Sequence, residues 1–145
     1  MDRIVVLDFG SQYSHLICRR IREANVYCEL LPHDTPAKLL REIEPKGIII
    51  SGGPASIYVE GSPKPDYGIF DLGIPILGIC YGHQLIVDRF GGKIRKSTVR
   101  EYGSSNLVID DHDGLFSNIN GNIRCWMSHS DTAELIPKGF DVLAH

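Results

Sequence analysis

The 145-residue sequence has no long apolar run, no block of like charge and no paired-cysteine motif. Its first apolar stretch, Ile4 to Leu7, is too short for a secretion-signal core or a membrane span, which leaves the cytoplasm as the expected compartment. No basic run is longer than Arg19-Arg20, and the formal net charge is only −3. Neither a nucleic-acid nor a membrane-surface partner is expected from that balance, and the arginine pair reads as a solvated helix face. Cys18, Cys28, Cys80 and Cys125 are scattered without C-x-x-C spacing, so reduced thiols are expected and a zinc site is not. No carboxylate pair or metal-ligand spacing stands out. Asp110-Asp111-His112-Asp113 reads as a solvated turn. No repeat, low-complexity segment or linker divides the chain, and a single domain over residues 1–145 is expected.

What is present is an ordinary globular composition, 43% hydrophobic and 23% charged. Arg3 to Leu7 reads as a strand, and Gln12 to Ala24 turns helical, with Leu16, Ile17, Arg20 and Ile21 at helix spacing. Val26 to Leu31 is a second strand. Thr35 followed by Pro36 reads as an N-cap with proline at the first helical position, opening a helix that ends near Glu44. Ile48-Ile49-Ile50 has the uniform apolarity of a strand buried on both faces. Ser51 to Tyr67 is loop, and Asp66 to Leu72 allows a helical turn. Pro75 to Ile79 is another buried strand, and Gly82 to Phe90 is a helix stopped by Gly91-Gly92. This order predicts an α/β fold: a doubly wound, flavodoxin-like, mainly parallel sheet with helices on both faces. Further on, Gly103 to Ile109 reads as one arm of a small antiparallel ribbon. Ile123 to Met127 and Phe140 to Ala144 read as strands. A strand running up to His145 predicts a fold that continues past this residue.

The chemistry centres on Cys80. Gly78-Ile79-Cys80-Tyr81-Gly82 has the form strand, G-x-C-x-G, helix, the thiol counterpart of the G-x-S-x-G nucleophile elbow. A sharp strand-to-helix turn would lift the sulfur to the carboxyl edge of the sheet. The glycines would let backbones approach closely. The helix N-terminus beside the sulfur would favour thiolate over thiol, which would then need little further activation. Acyl chemistry also needs oxyanion donors, and losing one typically costs roughly 3–4 kcal/mol in the barrier. The Tyr81 N–H is one natural donor, and the Ser51-Gly52-Gly53-Pro54 loop is the natural source of a second. Cys18, Cys28 and Cys125 lack this setting and read as core or half-buried side chains.

The elbow, extended through His83-Gln84, and Ser51-Gly52-Gly53-Pro54 resemble the two signatures of the class I glutamine amidotransferases. Leu7-Asp8-Phe9-Gly10-Ser11-Gln12-Tyr13, Val99-Arg100-Glu101-Tyr102-Gly103 and Trp126-Met127-Ser128-His129-Ser130-Asp131 are similar to the GMP synthase branch of that family. The resemblance implies hydrolysis of glutamine through a cysteinyl thioester, with the ammonia used in the ATP-dependent amination of XMP to GMP. It implies Cys80 as nucleophile, with backbone oxyanion donors at Gly53 and Tyr81. It implies substrate-binding roles for Gly52, Gln84, Ser128, His129, Ser130 and Asp131. It implies a partner, an ATP pyrophosphatase (synthase) domain or subunit, and a homodimeric full-length protein. No cofactor is implied in this domain, with ATP and Mg2+ belonging to the synthase domain.

Two departures stand against the pattern. Ser130 replaces the usual glycine of Ser-His-Gly-Asp, which a serine accommodates if φ stays negative. The His-Pro-Glu that completes the family's triad does not occur within the 145 residues. His83 reads as a helix-face residue, His129 as a weak candidate base, and His15, His33 and His112 carry no marking context. Three alternatives remain open at this point: an inactive glutamine- or partner-binding fragment, a glutaminase of another class I amidotransferase, and a cysteine peptidase or chaperone relative on the same sheet.

Overall fold

In the computed structural model the backbone is described throughout, and the side chains of all residues except 98–101 and 129–130. The residues divide into two compact units, Met1–Arg89 and Phe90–His145.

The first unit alternates strand and helix: β1 (Arg3–Asp8), α1 (Ser14–Glu23), β2 (Tyr27–Pro32), α2 (Ala37–Ile43), β3 (Gly47–Ile50), a 3-10 turn (Tyr67–Asp71), β4 (Ile76–Gly78) and α3 (Tyr81–Arg89). The four strands form a wholly parallel sheet in the order β2-β1-β3-β4. This is the expected flavodoxin-like arrangement, in which the carboxyl ends of the strands form the binding edge.

Successive strand residues point to opposite faces, so an uninterrupted apolar strand builds two cores at once. Val5, Leu7, Ile48 and Ile50 bury one face together with Leu40 of α2 and Leu85 of α3. Val6 buries the other face with Cys18 and Cys28, and Ile17, Ile21 and Ile49 pack against it. Helices thus cover both faces. Leu16, one of the residues at helix spacing in α1, is exposed. The buried stripe of that helix runs through Ser14 and Cys18.

The start of α2 also departs from expectation. Pro36 itself occupies the N-cap, with no side-chain cap from its own segment. The Thr35 hydroxyl donates to the Pro32 carbonyl at 2.6 Å instead. Asp66 supplies the missing acceptor from 29 residues downstream, taking the Ala37 N–H at 2.8 Å and the Gly68 N–H at 2.9 Å. These two backbone donors hold the Asp66 carboxyl below its ordinary range.

The second unit is built on a two-stranded antiparallel ribbon, β5 (Lys93–Leu107) with β6 (Ile123–Leu135), separated by a 3-10 turn at Gly114–Phe116. Both arms are longer than their weak alternation predicts. The expected strand from Phe140 to Ala144 reduces to a single antiparallel bridge, Ile109 with Ala144. Pro137 and Gly139, the latter at φ +91°, hold a turn there, and Phe140 N–H reaches back to the Pro137 carbonyl. Asp110 pairs with the His145 ring at 2.8 Å, and Asp111 accepts the Asp113 N–H, so the acidic run forms a surface turn.

Candidate active site

Cys80 sits between the end of β4 and the first residue of α3 with φ +51°, a left-handed conformation costing a non-glycine residue roughly 1–2 kcal/mol. The surrounding contacts fix this turn. A Cβ on Gly78 would lie 2.6 Å from the Gly82 carbonyl oxygen and 2.7 Å from the His83 nitrogen. A Cβ on Gly82 would overlap the Ile50 carbonyl oxygen and come within 2.7 Å of the Ile50 Cγ2. The helix therefore starts directly on the end of β3, a separation that only glycine permits. Ile79 N–H donates to the Ile50 carbonyl at 3.0 Å, which continues the sheet to the residue before the nucleophile. Cys80 itself is exposed, whereas Cys18 and Cys28 are buried and Cys125 is half-buried.

The Gly-Gly loop lies against the elbow, as the sequence predicts. A Cβ on Gly52 would stand 3.0 Å from the Cys80 Cβ and 3.6 Å from its sulfur. Gly53 passes so close to β1 that a Cβ there would overlap the Phe9 carbonyl oxygen. Tyr81 is buried and anchored, its hydroxyl donating to the Pro63 carbonyl at 2.7 Å and its ring 5.8 Å from that of Phe9. It is the first residue of α3, where backbone N–H groups have no intrahelical carbonyl to receive them.

Gln84 lies one turn into α3. It is only 8% exposed, and its Oε1 is buried without a hydrogen-bond partner. A buried acceptor left empty costs about 1–3 kcal/mol, a cost that a ligand N–H would remove. His83 points to the exposed face of the same helix.

The protonation of the thiol differs from expectation. Burial pushes the Cys80 thiol above its ordinary value, and no charge among the described residues offsets that push. The residue is exposed as a whole, yet the Gly52 loop lies close enough that an added Cβ would stand 3.6 Å from the sulfur. A helix terminus contributes about 0.3–1 kcal/mol at a partly exposed position. With the thiol shifted upward by burial, an acceptor for its proton would assist the attack.

Asp8 and Ser14 are bound to this site, a connection that reading the chain in order does not show. Phe9 N–H donates to the Ser51 hydroxyl oxygen at 3.0 Å, and Ser14 Oγ lies 3.3 Å from that oxygen and 2.9 Å from Asp8 Oδ1. Their only sequence signal is membership of the segment from Leu7 to Tyr13 and the small residue after it.

Ser128 and Asp131 are placed on β6 of the second unit, in an extended ribbon strand. There Ser128 pairs with Tyr102 and Asp131 with Lys96 of β5. The side chains of His129 and Ser130 lie outside the described residues. Among the described residues no group of three or more His, Cys, Asp or Glu is arranged to hold a metal ion, and no helix is long and apolar enough to cross a membrane.

The family model for "Glutamine amidotransferase class-I" matches residues 5–145. The chain is 52% identical over 139 residues to a GMP synthase [glutamine-hydrolyzing] of Heliobacterium modesticaldum, covering 96% of this chain and 27% of that protein. It is 54% identical over 142 residues to the protein of the same name from Synechocystis sp., covering 98% and 26%. The chain thus spans about a quarter of the length of the curated relatives it matches. Among solved structures, a protein described as a GMP synthase subunit from Thermoplasma acidophilum superposes with a TM-score of 0.85 at 31% identity, covering 99% of this chain and 72% of the other. A glutamine amidotransferase from Thermotoga maritima has the same fold, with a TM-score of 0.73 at 22% identity, covering 99% of this chain and 66% of the other.

Proposed function

Since the chain belongs to the class I glutamine amidotransferase family, we propose that it binds glutamine at the carboxyl edge of its parallel sheet and that Cys80 attacks the side-chain amide. The observation that carries this reading is the packing of Gly52 against the Cys80 sulfur, which sets a glycine-lined backbone beside a nucleophile on a strained turn.

The sulfur forms a bond to the amide carbon, and the carbonyl electron pair moves to oxygen. The Gly53 and Tyr81 N–H groups receive that charge. Collapse breaks the C–N bond, and the nitrogen leaves as ammonia once protonated. Water then attacks the thioester, the C–S bond breaks, and glutamate departs. Gln84 offers its empty Oε1 to an N–H of the substrate. The family resemblance makes Ser128, His129, Ser130 and Asp131, in the second unit, candidates for recognising the charged ends of glutamine. The 145 residues contain no His-Pro-Glu, and burial raises the Cys80 thiol above its ordinary value. Acylation and deacylation both depend on a base, so these residues alone favour binding and slow acylation over rapid turnover.

The relatives' names and their length extend the proposal. Ammonia would pass to an ATP pyrophosphatase (synthase) domain or subunit that aminates XMP to GMP with ATP and Mg2+, in a homodimeric cytoplasmic protein. The present chain would carry the glutamine half of that reaction without a cofactor of its own.

Calorimetric titration of the Cys80→Ala chain tests the reading. L-glutamine is expected to bind, L-asparagine at least about 10-fold more weakly, and Gln84→Leu is expected to abolish binding. Equal affinity for the two amino acids would contradict a site shaped for glutamine.

A further inference from the structure

We propose that the Ser51 hydroxyl is a positioning group that fixes the Gly52–Gly53 peptide, and that Asp8 and Ser14 leave its proton free for this task. The proposal rests on the glutaminase reading, in which the Gly53 N–H is an oxyanion donor. The Gly52 carbonyl and the Gly53 N–H belong to one planar unit and point in opposite directions. Flanked by glycine on both sides, that plane has more rotational freedom than any other pairing allows. Turned over, it would present a carbonyl oxygen where an N–H is needed.

One side-chain contact opposes that rotation. Ser51 is fully buried, and its hydroxyl donates to the Gly52 carbonyl at 3.1 Å. Its backbone N–H continues the β1–β3 ladder to the Leu7 carbonyl at 3.2 Å, and its Oγ accepts the Phe9 N–H at 3.0 Å. The hydroxyl is thereby anchored to the sheet while it holds the loop.

A proton inventory explains the two upstream residues. Ser51 has one proton and two candidate acceptors, the Gly52 carbonyl at 3.1 Å and Ser14 Oγ at 3.3 Å. Ser14 also has one proton, and Asp8 Oδ1 lies closer to it, at 2.9 Å. The same carboxylate oxygen takes the Gly10 N–H at 2.9 Å, which fixes its position. A hydrogen bond to an ionised carboxylate outcompetes one to a neutral hydroxyl. The Ser14 proton therefore goes to Asp8, and the Ser51 proton goes to its nearer acceptor, the Gly52 carbonyl.

The proposal is tested on the full chain by following Cys80 modification with two reagents and intact-mass detection. A glutamine-derived chloroketone places a carbonyl oxygen at the oxyanion position, while methyl methanethiosulfonate has no carbonyl. Ser51→Ala is expected to slow the chloroketone on the order of 10–100-fold, a partial loss of one donor, and to leave the thiosulfonate rate unchanged. Ser51→Thr, which keeps the hydroxyl, is expected to restore the chloroketone rate and decides the matter if the alanine variant fails to fold. Equal slowing of both reagents in Ser51→Ala, or no slowing of either, would overturn the positioning role while leaving the glutaminase reading intact. A chloroketone no faster on the unaltered chain than on free cysteine would contradict that reading, and this proposal with it.

Discussion

Gly52 and Cys80 are in van der Waals register: a methyl on Gly52 would meet the Cys80 Cβ at 3.0 Å and its sulfur at 3.6 Å. Gly52→Ala therefore fills the approach to the nucleophile. The expected result is at least about 10-fold slower labelling of Cys80 by a glutamine-derived chloroketone, with a stability loss of about 1–2 kcal/mol by urea titration. Gly82→Ala acts differently, because its methyl overlaps the Ile50 backbone. A loss of about 3 kcal/mol or more is expected there.

The strain at Cys80 can be measured without chemistry. Alanine and glycine both remove the sulfur, but only glycine adopts φ +51° freely. Cys80→Gly is expected to be more stable than Cys80→Ala by about 1 kcal/mol in denaturant titration. The reverse order would show that the left-handed turn carries no strain.

Gln84 sets function against stability. Its buried Oε1 has no partner, so Gln84→Leu removes an empty acceptor at nearly constant volume. The free chain is expected to gain about 1 kcal/mol while glutamine binding is lost. A destabilised variant would show that the oxygen is satisfied in solution.

Two thiols give pH predictions of known sign. Burial raises Cys80, so its rate with methyl methanethiosulfonate is expected to keep climbing beyond the pH at which free cysteine levels off. Cys28 is raised by burial first and by its contact with Cys18 second. Its folded-state value exceeds the unfolded one, so the folded chain holds the proton longer. That contribution is complete below the unfolded thiol value of about 8.5 and is lost as pH rises through the folded value. Cys28→Ala is expected to flatten the alkaline fall in stability, read from melting midpoints at successive pH values.

Much of this site was legible in the sequence because its determinants are local. Ile48-Ile49-Ile50 is apolar on both faces because both faces of the sheet are covered. Gly78 and Gly82 bracket Cys80 because any side chain there would strike backbone. The missed features depend on long-range contacts. Asp66 caps a helix 29 residues upstream, while Thr35, the local candidate, turns back to Pro32. Ser14 and Ser51 meet across 37 residues, and nothing in either neighbourhood announces the other. The ribbon was underestimated because an exposed two-stranded pair, with Trp126 and Tyr102 open to solvent, needs no strict alternation. The thiol's upward shift follows from burial, which motif spacing does not encode.

The claim that Cys80 is a nucleophile for glutamine is tested most directly by mapping the adduct of the glutamine-derived chloroketone on the chain. One adduct per chain is predicted, on Cys80, slowed by added L-glutamine and absent in Cys80→Ala, with Cys18, Cys28 and Cys125 unmodified. An adduct spread over several cysteines, or one on Cys80 that L-glutamine does not slow, would contradict it.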